Sequence, residues 1–486
     1  MKAHGVAPFG LALGVCVGLS VGLPACSSGG FVSDEKGLPD KDKNAKDELV
    51  FDQVSPSRGP TTGGIPITIR GRKFEADMRV QFAGVDATQV SLKEDDVLGL
   101  LLPPNPGVIG PVEVRLLRND GKEAVRQDLF AYYPGQLAFA QPQSFATDAK
   151  PTKLAVEDVN QDGKLDVLAA SHDNQSLSIL RGKGEGRFDT YQRVSVKCRP
   201  RSMLFGEMTG DRFWDVAVSC DQAGPSVLLY PGKGDGTFLQ AKNLADVPSA
   251  ALAGGDYNAD GKLDIAVPYF AFMSNGIGFL YGNGDGTFKD GGSIVLPSGS
   301  FGVSSADFNG DGKGDLAVTL YDNSTVGVLL SQGSRFSSVN RVPAGAGPHS
   351  VVAADFNGDS KADLVVSDPD GNALRVLLGN GNGTFQPAVV LPTSGKTPQP
   401  VATADLNLDG WLDLITVNVN SPGTVTVFLG KGAAQGAGMF ASPQPIPASG
   451  THMDVVTADV NGDRLPDLLL PVSDGSQVQV LLNQSK

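Results

Sequence analysis

The stretch Asp256-Tyr257-Asn258-Ala259-Asp260-Gly261-Lys262-Leu263-Asp264, or DYNADGKLD, decides the fold because it recurs. Strings of the same shape start at Asp158, Glu207, Asp256, Asp307, Asp355, Asp405 and Asp459, at successive spacings of 49, 49, 51, 48, 50 and 54 residues. A fixed period of this length marks a repeat architecture, in which each unit buries its apolar face against the next. Each string follows an apolar run such as Val351–Ala354 and precedes another such as Leu364–Val366. A third run (Leu374–Leu378), a Gly-rich turn ending at Phe385 and a fourth run complete the unit. Four short strands per ~50 residues make the blade of a β-propeller. Residues 136–486 therefore read as seven blades. The chain stops after a third strand, Gln477–Leu482, so the missing fourth strand of the last blade is expected from Gln136–Ala146. Pairing first and last segments closes the ring and leaves no open sheet edge.

Composition agrees with an all-β chain. Of 486 residues, 62 are Gly and 32 are Pro, which favours turns and short strands over long helices. Hydrophobic residues at 41% exclude a disordered chain. A net charge of −14 argues against nucleic acid and against an anionic membrane surface as partners. Four cysteines exclude a disulfide-dense scaffold.

The amino terminus reads as an address. Ala7–Gly22 is an apolar run of 16 residues behind Lys2, too short to span a bilayer but right for a secretory segment. It ends in Leu23-Pro24-Ala25-Cys26-Ser27, which resembles a bacterial lipobox. The resemblance implies a signal peptide over residues 1–25, cleavage before Cys26 and acylation of that cysteine. Two or three acyl chains would hold the chain on a membrane. Ser27 resembles the pattern left in the outer membrane, facing either the periplasm or the exterior. Residues 26–49 follow as a flexible charged linker, with six acids and four lysines between Asp34 and Glu48.

Residues 50–135 read as a small β-sandwich. Ile65, Ile67 and Ile69 alternate with polar or turn residues, as do Val80 and Phe82, and Val112, Val114 and Leu116. The strings SPSRGPTTGGIPITIRGRKF, VQFAGVDA and LFAYYP resemble the immunoglobulin-like IPT/TIG family. That resemblance implies a spacer or interaction module. The fold class is thus all-β: an immunoglobulin-like sandwich, then a seven-bladed propeller.

The acidic string resembles the D-x-[DN]-x-D-G-x-x-D loop of the FG-GAP/VCBS repeats found in integrin α-subunit propellers and bacterial surface proteins. What it implies is calcium, since Ca²⁺ takes six to eight oxygens and alternate residues of a tight loop can supply them. The implied side-chain ligands are Asp158, Asn160, Asp162 and Asp166 in the first repeat, and Asp256, Asn258, Asp260 and Asp264 in the third. The fourth and fifth contribute Asp307, Asn309, Asp311 and Asp315, then Asp355, Asn357, Asp359 and Asp363. The sixth and seventh contribute Asp405, Asn407, Asp409 and Asp413, then Asp459, Asn461, Asp463 and Asp467. The second string, EMTGDRFWD, departs from the pattern, and Arg212 is expected to place its guanidinium among Glu207, Asp211 and Asp215. Ser360 and Arg464 replace the turn glycine in the fifth and seventh strings, so five to six ions are expected.

Catalytic signals are weak. GKGEGRF, GKGDGTF, GNGDGTF and GNGNGTF suggest a phosphate loop, but they recur once per blade with no helix behind them, and read as hairpins ending in an aromatic. The chain lacks G-x-S-x-G, H-E-x-x-H and C-x-x-C, and His172, His349 and His452 fall in three different repeats. Cys198 and Cys220 share a blade, and either pair in an oxidising compartment or remain two core thiols.

The rim opposite the acidic loops is expected to carry either a ligand face or rings that simply pack between blades. There the third repeat breaks pattern with an aromatic segment that includes Tyr269, Phe270 and Phe272, Tyr321 stands next door, and Arg201 and His349 begin inner strands. Aromatic and Arg clusters are typical of binding hot spots. The functional expectation is a monomeric, non-enzymatic, calcium-stabilised lipoprotein of the bacterial envelope that binds an extracellular glycan or protein. A lyase-like enzyme acting on polysaccharides and a passive envelope scaffold are the rivals.

Overall fold

The structure is a computed structural model that describes Leu19–Ser20 and residues 48–486, apart from residues 223, 272–273, 334, 421–422 and 433–438. The expected signal peptide, the lipidation site Cys26 and nearly all of the charged linker lie outside the described residues. Among the described residues no helix is long and apolar enough to cross a membrane. The chain divides into two compact units.

The first unit holds residues 141–404 and 412–482. Among the described residues it contains seven sheets, each with four antiparallel strands, here numbered as blades 1–7 in chain order, and one two-stranded sheet, Gly182–Gly184 with Arg187–Phe188. Blade 1 runs Pro151–Glu157, Asp166–Ser171, Ser176–Leu180 and Gln192–Ser195, in that spatial order. The inner strands of blades 2–7 are Pro200–Gly206, Ala253–Gly255, Val303–Ala306, Val351–Ala354, Pro398–Ala404 and Val456–Ala458. Each inner strand packs beside the next, and the seventh packs beside the first. Leu19–Ser20 runs parallel to Gly254–Gly255.

The ring closes as the sequence predicts. Gln143–Ala146 pairs antiparallel with Gln477–Leu481, Gln143 opposite Val480 and Phe145 opposite Val478, which supplies the fourth strand of blade 7. Second strands are buried on both faces: Asp166–Ser171, Asp215–Cys220, Asp315–Leu320 and Asp363–Asp368 have no exposed residue. Hence they read as continuous apolar runs rather than alternations. Cores form between neighbouring blades, as where Leu168 and Leu177 of blade 1 meet Val216 and Leu228 of blade 2. The hairpin aromatics Phe188, Phe238, Phe288 and Phe385 each bridge back to the glycine that opens their motif. Cys198 and Cys220 form a disulfide across this second blade, with Cα atoms 5.9 Å apart.

The second unit holds the amino-terminal sandwich, grouped with residues 405–411 and 483–486. One sheet comprises Val50–Ser55, Pro66–Arg72, Val97–Leu101 and Thr88–Glu94. The other comprises Arg58–Pro60, Glu123–Tyr133, Gly110–Leu117, Arg79–Phe82 and Val85–Asp86. The alternating residues Ile67, Ile69, Val80, Phe82, Val112, Val114 and Leu116 all enter its core. Leu49, placed in the linker by its charged surroundings, is buried in that core as well.

Candidate functional site

Acidic strings connect first to second strands, so they gather on one rim of the ring. In the third string Asp256 Oδ1 accepts from Asp260 N at 3.0 Å and Oδ2 from Gly261 N at 2.8 Å. Asn258 Oδ1 also accepts from Asp260 N, and Asp260 Oδ1 accepts from Lys262 N. Asp264, fully buried, takes Tyr257 N on one oxygen and Gly282 N on the other, tying the loop to the end of the third strand. Strings one, four, five and seven repeat the bonds to their first aspartate. In string six, Asp405 accepts from Asp409 N and Gly410 N. The sixth position of each string, just after the second acid, is left-handed throughout, with φ of +79° at Gly261, +63° at Ser360 and +76° at Arg464.

Whether these loops suit a cation turns on their electrostatics. Burial pushes Asp264 up to about 6, and repulsion from Asp260 and Asp256 adds to it against two backbone hydrogen bonds. Asp166, Asp315 and Asp363 are likewise pushed up to about 6, with burial the main cause and the acids of their own strings adding to it. The donors are hard oxygens close enough to repel one another, which is the chemistry Ca²⁺ neutralises. Among the described residues, however, no group of three His, Cys, Asp or Glu side chains converges as a metal ion would need. The oxygens are turned toward backbone N–H groups instead.

The second string closes without aspartate at its start. Glu207 Oε1 accepts from Thr209 N, Gly210 N and Asp211 N, in place of the missing Asp. The expected placement of Arg212 is corrected. Its backbone takes the turn glycine's place at φ +70°, its side chain is exposed, and among the described residues no bond joins its guanidinium to Glu207, Asp211 or Asp215.

The opposite rim carries the entrances to the inner strands and the hairpins between second and third strands. The residue six places before each acidic string shares one register position there: Thr152, Arg201, Ala250, Phe301, His349, Gln399 and Met453, all exposed or half-buried. Bulges at Thr152, Arg201 and Gln399, each just after a proline that starts its strand, interrupt the ladder. A bulge re-aims its side chain.

Phe301 is the hub of this rim, and the sequence reading missed it. Its ring stacks on His349, centroids 5.1 Å apart and planes 3° from parallel. Tyr321 meets it edge-on at 5.4 Å, and Phe270 approaches at 6.4 Å. Gly302 permits the stack, since a Cβ there would lie 2.7 Å from the His349 carbonyl. Thr319 Oγ1 accepts from Phe301 N and Gly302 N and so fixes the loop. Phe301 and Tyr321 remain 38% and 40% exposed, unusual for large apolar rings.

Polar pairs stand at other inner-strand entrances of the same rim. Arg201 Nε donates to Asp221 Oδ2 at 2.7 Å, which also contacts His172 Nε2 at 2.8 Å. Burial pushes Asp221 up, but the hydrogen bonds from His172 and Arg201 prevail and hold it below the usual carboxylate range. Lys153 pairs with Asp454 at 3.0 Å. Burial, reinforced by the Lys153 and Arg201 charges, brings His349 down to about 4 and keeps it neutral.

Of the residues expected on this face, Phe270, Tyr321 and His349 come together through Phe301, and Arg201 acts on His349 by charge. Tyr269 does not join them: its ring lies across Gly276 of its own sheet, where a Cβ would meet the phenol oxygen at 2.3 Å. Phe272 lies outside the described residues. Register could have revealed Phe301, which stands where Arg201 and His349 stand in their repeats.

Residues 158–218, 207–267, 307–366, 357–416 and 405–470 match the FG-GAP-like repeat, more than half of the chain. The chain belongs to the FG-GAP-like repeat family. Residues 49–132 match the IPT/TIG domain, so this FG-GAP-like protein carries an IPT/TIG sandwich at its amino terminus. Solved structures similar to it include BBS1N in complex with ARL6DN, 12% identical with a TM-score of 0.50 over 71% of this chain and 96% of that one. The WD40 domain of Toxoplasma gondii coronin is 12% identical, with a TM-score of 0.50 over 72% and 86%. An auxiliary nutrient binding protein from Bacteroides ovatus ATCC 8483 aligns over 91% and 99% at 14% identity and a TM-score of 0.40. At these identities the two likenesses at 0.50 speak to the propeller fold alone. No curated protein matches the chain.

Proposed function

We propose that this FG-GAP-like protein is a binding module of the bacterial cell envelope, anchored through acylated Cys26 and stabilised by calcium in its acidic loops. On this reading it is not an enzyme, and it captures an extracellular glycan or protein on the rim away from those loops. One observation carries the proposal: an aromatic run, Phe270–Phe301–His349 with Tyr321, lies on that rim with two large rings exposed. Solvent-facing rings held in fixed contact form a preorganised surface that gains by being covered.

To hold an ion, the first, third, fifth and ninth residues of each intact string would have to turn oxygens toward it from the backbone N–H groups they now accept, and the ion would neutralise carboxylates that otherwise repel. The anchor rests on the lipobox resemblance. Cys26→Ser should move the chain from the membrane fraction to the soluble one with an unchanged melting curve.

That soluble full-length variant allows the functional test. It should retain partners on a glycan array or in a pull-down from the native envelope. Phe301→Ala and Phe270→Ala should each lose them without a change in melting temperature. Undiminished capture by both variants would remove this rim as the binding face.

A further inference from the structure

We infer that the entrance rim recognises an acidic saccharide, with a sugar ring held against Phe301 and a carboxylate held by Arg201 and Lys153. This rests on the reading of that rim as the binding face and names its ligand class. Two ion pairs there are lopsided in depth. The Arg201 side chain is 47% exposed and its partner Asp221 only 13%; Lys153 is 37% exposed and Asp454 only 11%. Each pair is neutral as a whole, yet the group a ligand meets first is the cation. Arg201 commits only Nε to Asp221, so both Nη groups remain for a bidentate contact.

A second observation comes from His349, set in another blade and stacked on Phe301. The charges that act on it are those of Lys153 and Arg201, with no carboxylate offsetting them. Both cations therefore stand within electrostatic reach of His349. A neutral imidazole with no hydrogen-bond partner among the described residues adds an N–H donor to the two cations. Three donors from three blades stand at the inner-strand entrances of the rim that also carries the exposed Phe301 ring, and call for an anionic acceptor joined to an apolar face.

The remaining ring positions favour a saccharide over an acidic peptide. Thr152, whose hydroxyl donates to Ala170 O at 3.4 Å, and Gln399 share the register of Arg201, Phe301 and His349, and offer an uncharged acceptor and an amide that match sugar hydroxyls. Ala250, at the same register, is small and adds no charge. The overall charge of −14 does not oppose this. The acidic strings sit at the other ends of the strands, about 17–20 Å away for a typical strand. That is about two Debye lengths at physiological ionic strength.

Isothermal titration of the full chain in detergent tests the inference. The probes are oligogalacturonate, oligoglucuronate, the carboxyl-reduced neutral form of each, and polyglutamate. At least one acidic oligosaccharide should bind at least tenfold more tightly than its neutral form and than polyglutamate. Arg201→Gln and Lys153→Gln should each weaken it about tenfold. Arg201→Lys should recover part of the loss, and melting curves will show that the variants remain folded. Equal binding of the neutral form, equal binding of polyglutamate, or no binding of either acidic oligosaccharide would overturn the ligand class. In those cases the broader reading still stands if Phe301→Ala abolishes whatever the rim captures, and falls with it if Phe301→Ala changes nothing.

Discussion

His349 gives its ring face to Phe301 and loses its ionisation to burial and two neighbouring cations. Its pKa, brought by burial to about 4, lies below the ordinary 6.5 for histidine, so the unfolded chain takes up the proton first. The stability this residue protects is whole above pH 6.5 and is lost as the pH falls toward 4. Urea unfolding at pH 7.0 and 4.5 should show the native protein losing about 2 kcal/mol more than His349→Phe, which keeps the stack and cannot ionise. Equal losses would mean that the imidazole is not held neutral. The Cys198–Cys220 disulfide is the other single-residue device, closing a separation of 22 residues. Replacing both cysteines with alanine should cost about 3 kcal/mol in the same assay, and reduction should act on the native protein but not on the variant.

At the scale of elements, the acidic turns obey one backbone rule and break it in sequence. The position after the second acid is left-handed in every repeat, yet Ser360 and Arg464 occupy it in two intact strings, at φ +63° and +76°. That conformation is costly for residues with a Cβ, so Ser360→Gly should raise stability by about 0.5–1 kcal/mol, read from a melting curve. No gain would mean that Ser360 makes a compensating contact.

The same loops show why strands were legible and the site only partly so. Apolar runs flanking the acidic strings announced the blades, and the missing last strand announced closure by Gln136–Ala146, of which Gln143–Ala146 forms the strand, because both follow from spacing and burial. Arg212 was misread because its position was clear but its direction was not: at φ +70° its side chain turns to solvent. Phe301 was missed because it lies in a Ser/Gly-rich connection and gains meaning only when the ring brings blades 3, 4 and 5 together. Leu49 was assigned to the linker because a single apolar residue after six acids carries no period.

At the scale of the propeller, the proposed function gives the two rims different tasks: one would gather carboxylates around a cation, and the other would present rings and donors to a ligand. Calcium titration should count five to six ions, with the seventh string, where Arg464 replaces glycine, the first to default. At millimolar calcium and a dissociation constant near 10⁻⁴ M, each ion would add about 1.4 kcal/mol, so chelation should lower the melting temperature sharply. The measurement that tests this division most directly is hydrogen–deuterium exchange of the full chain with calcium and with chelator. Calcium should slow exchange in the strings from Asp158, Asp256, Asp307, Asp355 and Asp405, leave the Glu207 string unchanged, and leave the segments holding Arg201, Phe301 and His349 unchanged. Exchange that ignores calcium in all seven strings, or a Glu207 string that responds like the others, would contradict it.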